Sequence, residues 1–233
     1  MKGTSAMSKC FQAVKKLLSD ASLYMDLIVI KQGEIRVCVS LSDIDESATL
    51  ILARQVDVLE GSVNPDVRII MKRQTFEDIV EGRADAFALA GRGASEEKRP
   101  IEFEVLEEKR SKEIWETVKA LLTYFFTPGR VKVKRLAPEM AGDAHGAHPI
   151  PIVYWDGVRS SWILVKKGEI VNRKGEKDPW PQVFIILEGK GRATVANHSF
   201  EIRPQTAIYI PTDTVHQIRA EEDVILIWLA WNA

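Results

Sequence analysis

Histidine and cysteine, the side chains best suited to ligate a transition metal, move a proton near neutral pH or attack a carbon, are few in this chain and stand apart in the sequence. There are four histidines and two cysteines. His145-x-x-His148 has the spacing of a zinc-ligating pair, but no cysteine or further histidine lies near enough to complete four ligands. The pair therefore reads as part of a surface linker. One route to function stays open: a linker folded over the mouth of a barrel would bring both imidazoles to it. His198 follows Asn197 in a turn and reads as exposed. Cys10 falls on a helix with only Lys9 as a basic neighbour, a poor setting for a thiolate. Cys38 falls in an apolar strand, and both thiols read as buried and free.

The run Asp43-Ile-Asp-Glu-Ser47 resembles a calcium loop but lacks its central glycine and closing glutamate, so it reads as a solvated turn. Gly91-Arg92-Gly93 and Gly189-Lys190-Gly191 are turn glycines. No G-x-S-x-G elbow, phosphate-binding G-x-x-x-x-G-K-[ST] loop or His-Glu-x-x-His pair occurs. Local motifs announce no catalytic chemistry.

The elements that would position these residues fall in two halves. Residues 183–228 read as short β-rich runs separated by tight turns, the pattern of a closed antiparallel barrel or sandwich wide enough for one small ligand or metal. The first half reads differently. Ser8 caps a helix reaching about Tyr24, with Phe11, Val14, Leu18 and Ala21 on one side. Residues 27–30 and 35–39 are expected to flank a hairpin at Lys31-Gln32-Gly33-Glu34, and a third strand to cover 49–59. Val67, Ile69 and Met71 alternate as a strand. Thr75-x-x-Asp78 is expected to cap a short helix ended by Gly82, with another helix over 85–90. Ile101, Phe103 and Val105 alternate as a strand, and Ser111 opens an apolar helix stopped by Pro128-Gly129. Residues 137–150, rich in small residues, proline and glycine, read as a linker.

The bulk numbers exclude several classes. Of 233 residues, 45% are hydrophobic and 28% charged, an ordinary soluble balance. Thirty-two Lys and Arg oppose 33 Asp and Glu for a net charge of -1, which argues against a nucleic-acid surface. No apolar run approaches ~20 residues, so no membrane insertion is expected. The polar start MKGTSAMSK leads into an amphipathic helix and not a secretory segment, and a cytoplasmic protein is expected.

The order of elements in the first half resembles the sterol-carrier-protein-2-like family, most specifically over Val67-Arg-Ile-Ile-Met and on to Gly93. The resemblance implies an α+β domain over residues 8–136, an antiparallel sheet with helices. It also implies an apolar tunnel taking a lipid tail near Trp115, Val118, Leu122, Phe125 and Phe126. The alternative is that these residues are simply core.

Gly168, the polar loop, Gln182-VFIILEGKG and then Ile210-Pro211-Thr-Asp213-Thr-Val-His216 resemble the two motifs of the cupin superfamily, implying an all-β cupin barrel, a jelly roll, over residues 151–233. Departures fall on that family's metal site. Only His216 stands where the family has a histidine ligand. Gln182 takes the place of a glutamate. The other two histidine places fall on Lys174 and Glu176, or on Glu176 and Asp178, depending on a one-residue gap. Asp213 stands where glycine is usual.

A mixed set of His216, Gln182, Glu176 and Asp178 implies at most a divalent metal (manganese, iron, nickel or zinc), and no resident cofactor is expected. If Gln182 and His216 point inward, strand alternation turns Phe184, Ile186 and Ile218 inward too, with Trp180 at the entrance. Such a lining favours holding a small apolar molecule over hydrolysing one. The expected function is non-enzymatic binding of a small molecule or lipid. The alternatives are a metal-dependent cupin oxygenase or isomerase, or a regulatory module. The apolar terminal run VILIWLAWNA reads as a buried strand or an interface, giving an expected homodimer through the second domain.

Overall fold

The structure, a computed structural model, describes residues 7–28, 33–93 and 97–232. The chain divides into two compact units, Met1–Ala86 with Arg99–Lys134, and Phe87–Lys98 with Arg135–Ala233. No helix among the described residues is long and apolar enough to cross a membrane.

In the first unit, helix α1 (Lys9–Asp20) is capped by the Ser8 hydroxyl, which accepts from the Phe11 N–H. It buries Cys10, Phe11, Val14 and Leu17 and stops four residues short of Tyr24, where a 3-10 turn (Ser22–Tyr24) takes over. Leu27 and Ile28, expected in a strand, belong instead to α2 (Met25–Ile28). Val29 to Gln32, and with them half of the expected hairpin turn, lie outside the described residues.

Strands β1 (Ile35–Leu41), β2 (Glu46–Leu52), β3 (Asp57–Glu60) and β4 (Val67–Met71) follow. The turn between β1 and β2 spans residues 42–45, within which the Asp43–Asp45 part of the acidic run falls, and β1 pairs antiparallel with β2. The single strand expected over 49–59 is itself a hairpin in which Thr49 faces Leu59. Its turn, Ala53 to Val56, contains no glycine or proline, the residues that usually signal one.

Helix α3 (Arg73–Val80) begins two residues before Thr75, which therefore caps nothing. Asp43 across the turn supplies the cap, accepting from the Arg73 N–H at 2.7 Å. Helix α4 (Ala86–Ala90) carries the boundary between the units. Strand β5 (Ile101–Val105) precedes α5 (Ser111–Ala120), which continues as a π turn through Phe125.

The sheet order is β3-β2-β1-β4-β5. It is mixed, because β4 runs parallel to β1 while the other pairs are antiparallel. This corrects the all-antiparallel expectation. Alternation reports which face a residue takes, but a strand's direction depends on the path of the intervening chain.

The second unit is a two-sheet β structure. Its strands are β6 (His148–Trp155), β7 (Val158–Val165), β8 (Ile170–Val171), β9 (Gln182–Glu188), β10 (Gly191–Val195), β11 (His198–Ile202), β12 (Thr206–Ile210), β13 (His216–Ala220) and β14 (Val224–Trp231). One sheet has the order β12-β9-β14-β7-β6 and the other β11-β10-β13-β8, all pairs antiparallel. Inward residues of both sheets, among them Val165, Phe184, Ile186, Ile208, Ala193, Ile218 and Leu226, form one core. The apolar terminal strand β14 is central in its sheet, which explains its composition. Gly189 links β9 to β10 at φ 81, where a Cβ would sit 2.0 Å from the Asp223 carbonyl oxygen.

Two expectations are corrected here. Residues 137–150 are not a free linker, because Met140 and Ile150 pack with Trp162 and Leu164 against Ile225 and Ile227. Covering that outer face of the sheet buries apolar area, which offsets the cost of ordering the segment. β6 itself starts at His148, and its Pro149 and Pro151 lie on the edge strand of the sheet, the position that tolerates proline. Phe87–Lys98, which falls within the expected 8–136 domain, groups with the second unit. There Glu97 accepts from the Gly93 N–H at 3.0 Å and pairs with Arg173 at 2.6 Å.

Candidate functional site

A cavity of about 330 Å³ opens inside the second unit. Its size lies at the low end of small-molecule pockets. Strand β9 provides one wall. Gln182 (2% exposed), Phe184 and Ile186 turn inward while Ile185 and Leu187 face out. Across the sheet Phe184 is the register partner of Trp228 on β14, and Gln182 is the partner of Ala230. Trp228 and Gln182 are thus diagonal neighbours, within reach of long side chains. The indole Nε1–H donates to Gln182 Oε1 at 2.6 Å.

That contact fixes the polarity of the amide. An indole N–H can only donate, so the amide oxygen must face it and the NH2 group must face the other way. Gln182 Nε2 is buried and has no hydrogen-bond partner. Gln182 is among the residues lining the cavity.

The opposite sheet contributes His216, the first residue of β13, 3% exposed and also in the lining. Its Nδ1 lies 2.8 Å from the Thr214 carbonyl oxygen. A carbonyl only accepts, so Nδ1 carries the proton and Nε2 holds the lone pair. Burial lowers the pKa of this imidazole below its ordinary value, against the opposing effects of the Thr214 hydrogen bond and the charges of Glu176 and Asp178. The ring tilts against Phe184, with centroids 5.6 Å apart. Asp213, in the turn before it, adopts φ 55, so the residue standing in a glycine's place uses a glycine-like conformation that aspartate tolerates.

The polar loop between β8 and β9 brings Glu176, Lys177 and Asp178 to the same cavity. His145 comes from the segment expected to be a linker and lines the mouth, while His148 does not reach the lining. His145 Nδ1 and Glu176 form a short pair. The hydrogen bond to Glu176 is the main reason the His145 pKa is raised, and the same bond lowers that of Glu176. His148 engages Glu169 and Asp143 instead.

Aromatic rings line the remainder. Phe87 packs on Tyr154 at 5.0 Å and Tyr154 on Trp228 at 6.1 Å. Burial raises the Tyr154 phenol above its usual range, with a Ser161 hydrogen bond acting in the other direction.

The residues proposed from sequence thus divide. Gln182, Phe184, His216, Glu176 and Asp178 surround one cavity. Ile186 sits in the core instead, at 0% exposure. Trp180 lies outside the lining, stacked under the Arg159 guanidinium at 4.2 Å. In the first unit Val118, Leu122, Phe125 and Phe126 are buried, and Trp115 is 39% exposed with its ring edge-to-face with Phe103.

Sequence reasoning missed Trp228, Tyr154 and the Phe87–Arg92 stretch. Alternation along β14, with Leu226, Trp228 and Ala230 on one face, was the available signal for Trp228. None existed for Phe87.

The donor chemistry of the four proposed metal-binding residues does not fit a cation. Gln182 directs its NH2, not its oxygen, away from Trp228. Glu176 already accepts from His145 and from the Arg173 N–H. Asp178 accepts from the Trp180 N–H at 2.9 Å. His216 Nε2 remains as a single conventional donor, and no group of three or more His, Cys, Asp or Glu able to hold a metal occurs among the described residues.

Residues 161–232 match the family model described as a cupin domain. Among solved structures, the chain is similar to a cupin 2 conserved barrel domain protein from Salinispora arenicola. That likeness has 14% identity and a TM-score of 0.40, covering 44% of this chain and 90% of the other. A cupin superfamily protein from Desulfitobacterium hafniense shows 16% identity, covering 43% and 94%, with a TM-score of 0.37. An RmlC-like cupin from Shewanella frigidimarina shows 17% identity, covering 38% and 78%, with a TM-score of 0.35. No curated protein matches the chain.

Proposed function

We propose that the cupin-like unit is a non-enzymatic binding module that holds one small, partly apolar organic molecule in its barrel cavity. The observation carrying this reading is the Gln182 amide, buried, oriented by Trp228 and left with an unpartnered NH2. A buried donor without a partner is costly in an empty protein and is relieved when a ligand supplies an acceptor. Phe184, Tyr154, Phe87 and Trp228 offer the apolar contact area such a ligand needs.

The test is a ligand-observed NMR screen of small aromatic and alicyclic fragments against the full chain and against Ala147→Phe, which fills the cavity from its lining. Saturable binding lost in the filled variant supports the reading. Binding that survives the filling, or no saturable binding at all, contradicts it.

Two finer readings accompany this one. Lipid carriage by the first unit, implied by its sterol-carrier resemblance, requires α5 to move away, because Val118, Leu122, Phe125 and Phe126 are packed out of solvent. The ligand is therefore assigned to the barrel. A homodimer through the second unit is supported by Ile185, Leu187 and Tyr209, exposed on the outward face of the adjacent strands β9 and β12. Light scattering should then give twice the 26.2 kDa chain mass, and a monomer would contradict it.

A further inference from the structure

We propose that the molecule held in this cavity carries an uncharged acceptor–donor pair, as in a carboxamide or lactam, with its carbonyl on the Gln182 NH2 and its N–H on His216 Nε2. The inference rests on the binding reading and specifies its ligand. Two fixed partners set the pattern. Trp228 can only donate, so the free polar group of Gln182, a residue of the cavity lining, is its buried NH2 and not its oxygen. The Thr214 carbonyl can only accept, so a neutral His216 offers a lone pair. One group comes from β9 and the other from β13, in opposing sheets; the His216 ring packs on Phe184, which lies two residues from Gln182 on the same face of β9. A ligand lying on that ring meets a donor on one side and an acceptor on the other.

Alternatives to the pair each leave a group unsatisfied. A ketone satisfies Gln182 and strands His216 Nε2. A carboxylate satisfies Gln182 but sets its charge against a lone pair, with Glu176 and Asp178 close by. The cationic lining residues do not reverse this preference. Arg159 is stacked on Trp180, Lys177 is exposed to solvent, His145 is paired with Glu176, and Arg92 is half-buried with interactions of its own. The buried, neutral character of His216 agrees with the same pattern.

Three probes of nearly equal shape test the inference: benzamide, acetophenone and benzoate. Their dissociation constants are measured by NMR titration of the full chain, its Gln182→Met variant and its His216→Phe variant. Benzamide should bind about tenfold tighter than acetophenone, the worth of one further hydrogen bond, with benzoate weakest. His216→Phe should bring the benzamide-to-acetophenone ratio close to one, whereas Gln182→Met, which removes the donor that both carbonyls use, should weaken the two ligands alike and leave their ratio near tenfold. Acetophenone or benzoate binding as tightly as benzamide to the native chain overturns the ligand class and leaves the binding reading standing. No saturable binding of any of the three overturns both.

Discussion

The contact between Trp228 and Gln182 decides the polarity of the cavity, and a double-mutant cycle measures it. Trp228→Phe removes the indole N–H along with some packing. In the native background it strands the Oε1 of an amide that is 2% exposed and had accepted a 2.6 Å hydrogen bond. Leaving a buried acceptor without a partner costs about 1–3 kcal/mol. In a Gln182→Leu background the same substitution strands nothing, while the packing loss is similar. The two costs should therefore differ by about 1–2 kcal/mol, the lower part of that range reflecting partial relaxation of the freed amide. Each kcal/mol corresponds to about 2–4 °C in melting temperature for a chain of this size. Urea unfolding of all four proteins, followed by far-UV circular dichroism, gives the coupling directly. A coupling under about 0.5 kcal/mol, the ordinary scatter of independent sites, would mean that the indole does not hold the amide. The assignment of the NH2 to the cavity would then fail.

Three further outcomes follow from local geometry. His216 has a folded pKa below its ordinary 6.5, so its neutral burial contributes stability above pH 6.5 that is lost as pH falls through the window beneath it, where the unfolded chain takes up protons first. His145 has a raised pKa and acts oppositely, its contribution being full below pH 6.5 and lost as pH rises through the raised value. In a His145→Gln background, the urea midpoint should fall on acidification more steeply with His216 than with His216→Phe, and parallel curves would contradict this. Gly189→Ala should destabilise the second unit by more than about 2 kcal/mol, since its Cβ would meet the Asp223 carbonyl oxygen at 2.0 Å from a φ of 81. A melting temperature unchanged by that substitution would show the turn can move aside. Burial, reinforced by Glu46, pushes the Cys10 thiol up to about 12, and Cys38 is fully buried. Ellman's reagent should therefore label neither cysteine until urea unfolds the chain, and rapid labelling of the native protein would contradict the burial of both thiols.

Much of the second unit was legible because its strands obey a period of two. Alternation along β9 turned Gln182, Phe184 and Ile186 inward, and the same rule placed Ile218 with His216. The polarity of the site was not legible, since it depends on Trp228 reaching Gln182 from a strand 46 residues away. Nor could periodicity show that Phe87 would join the barrel, that β4 would run parallel to β1, or that Asp43 and not Thr75 would cap α3. These are long-range outcomes of chain path. Residues 137–150 misled for a related reason: small residues, glycine and proline resemble a linker in composition, yet Met140 and Ile150 find apolar partners only once the sheet exists.

The most direct measurement is on the Gln182 side-chain NH2 itself, whose nitrogen–proton cross-peaks are identified by their loss in Gln182→Leu. The account predicts that these peaks shift saturably with benzamide and keep their intensity with stoichiometric manganese. Peaks unmoved by benzamide but broadened away by one equivalent of manganese would place a cation where an organic carbonyl is proposed, and would contradict it.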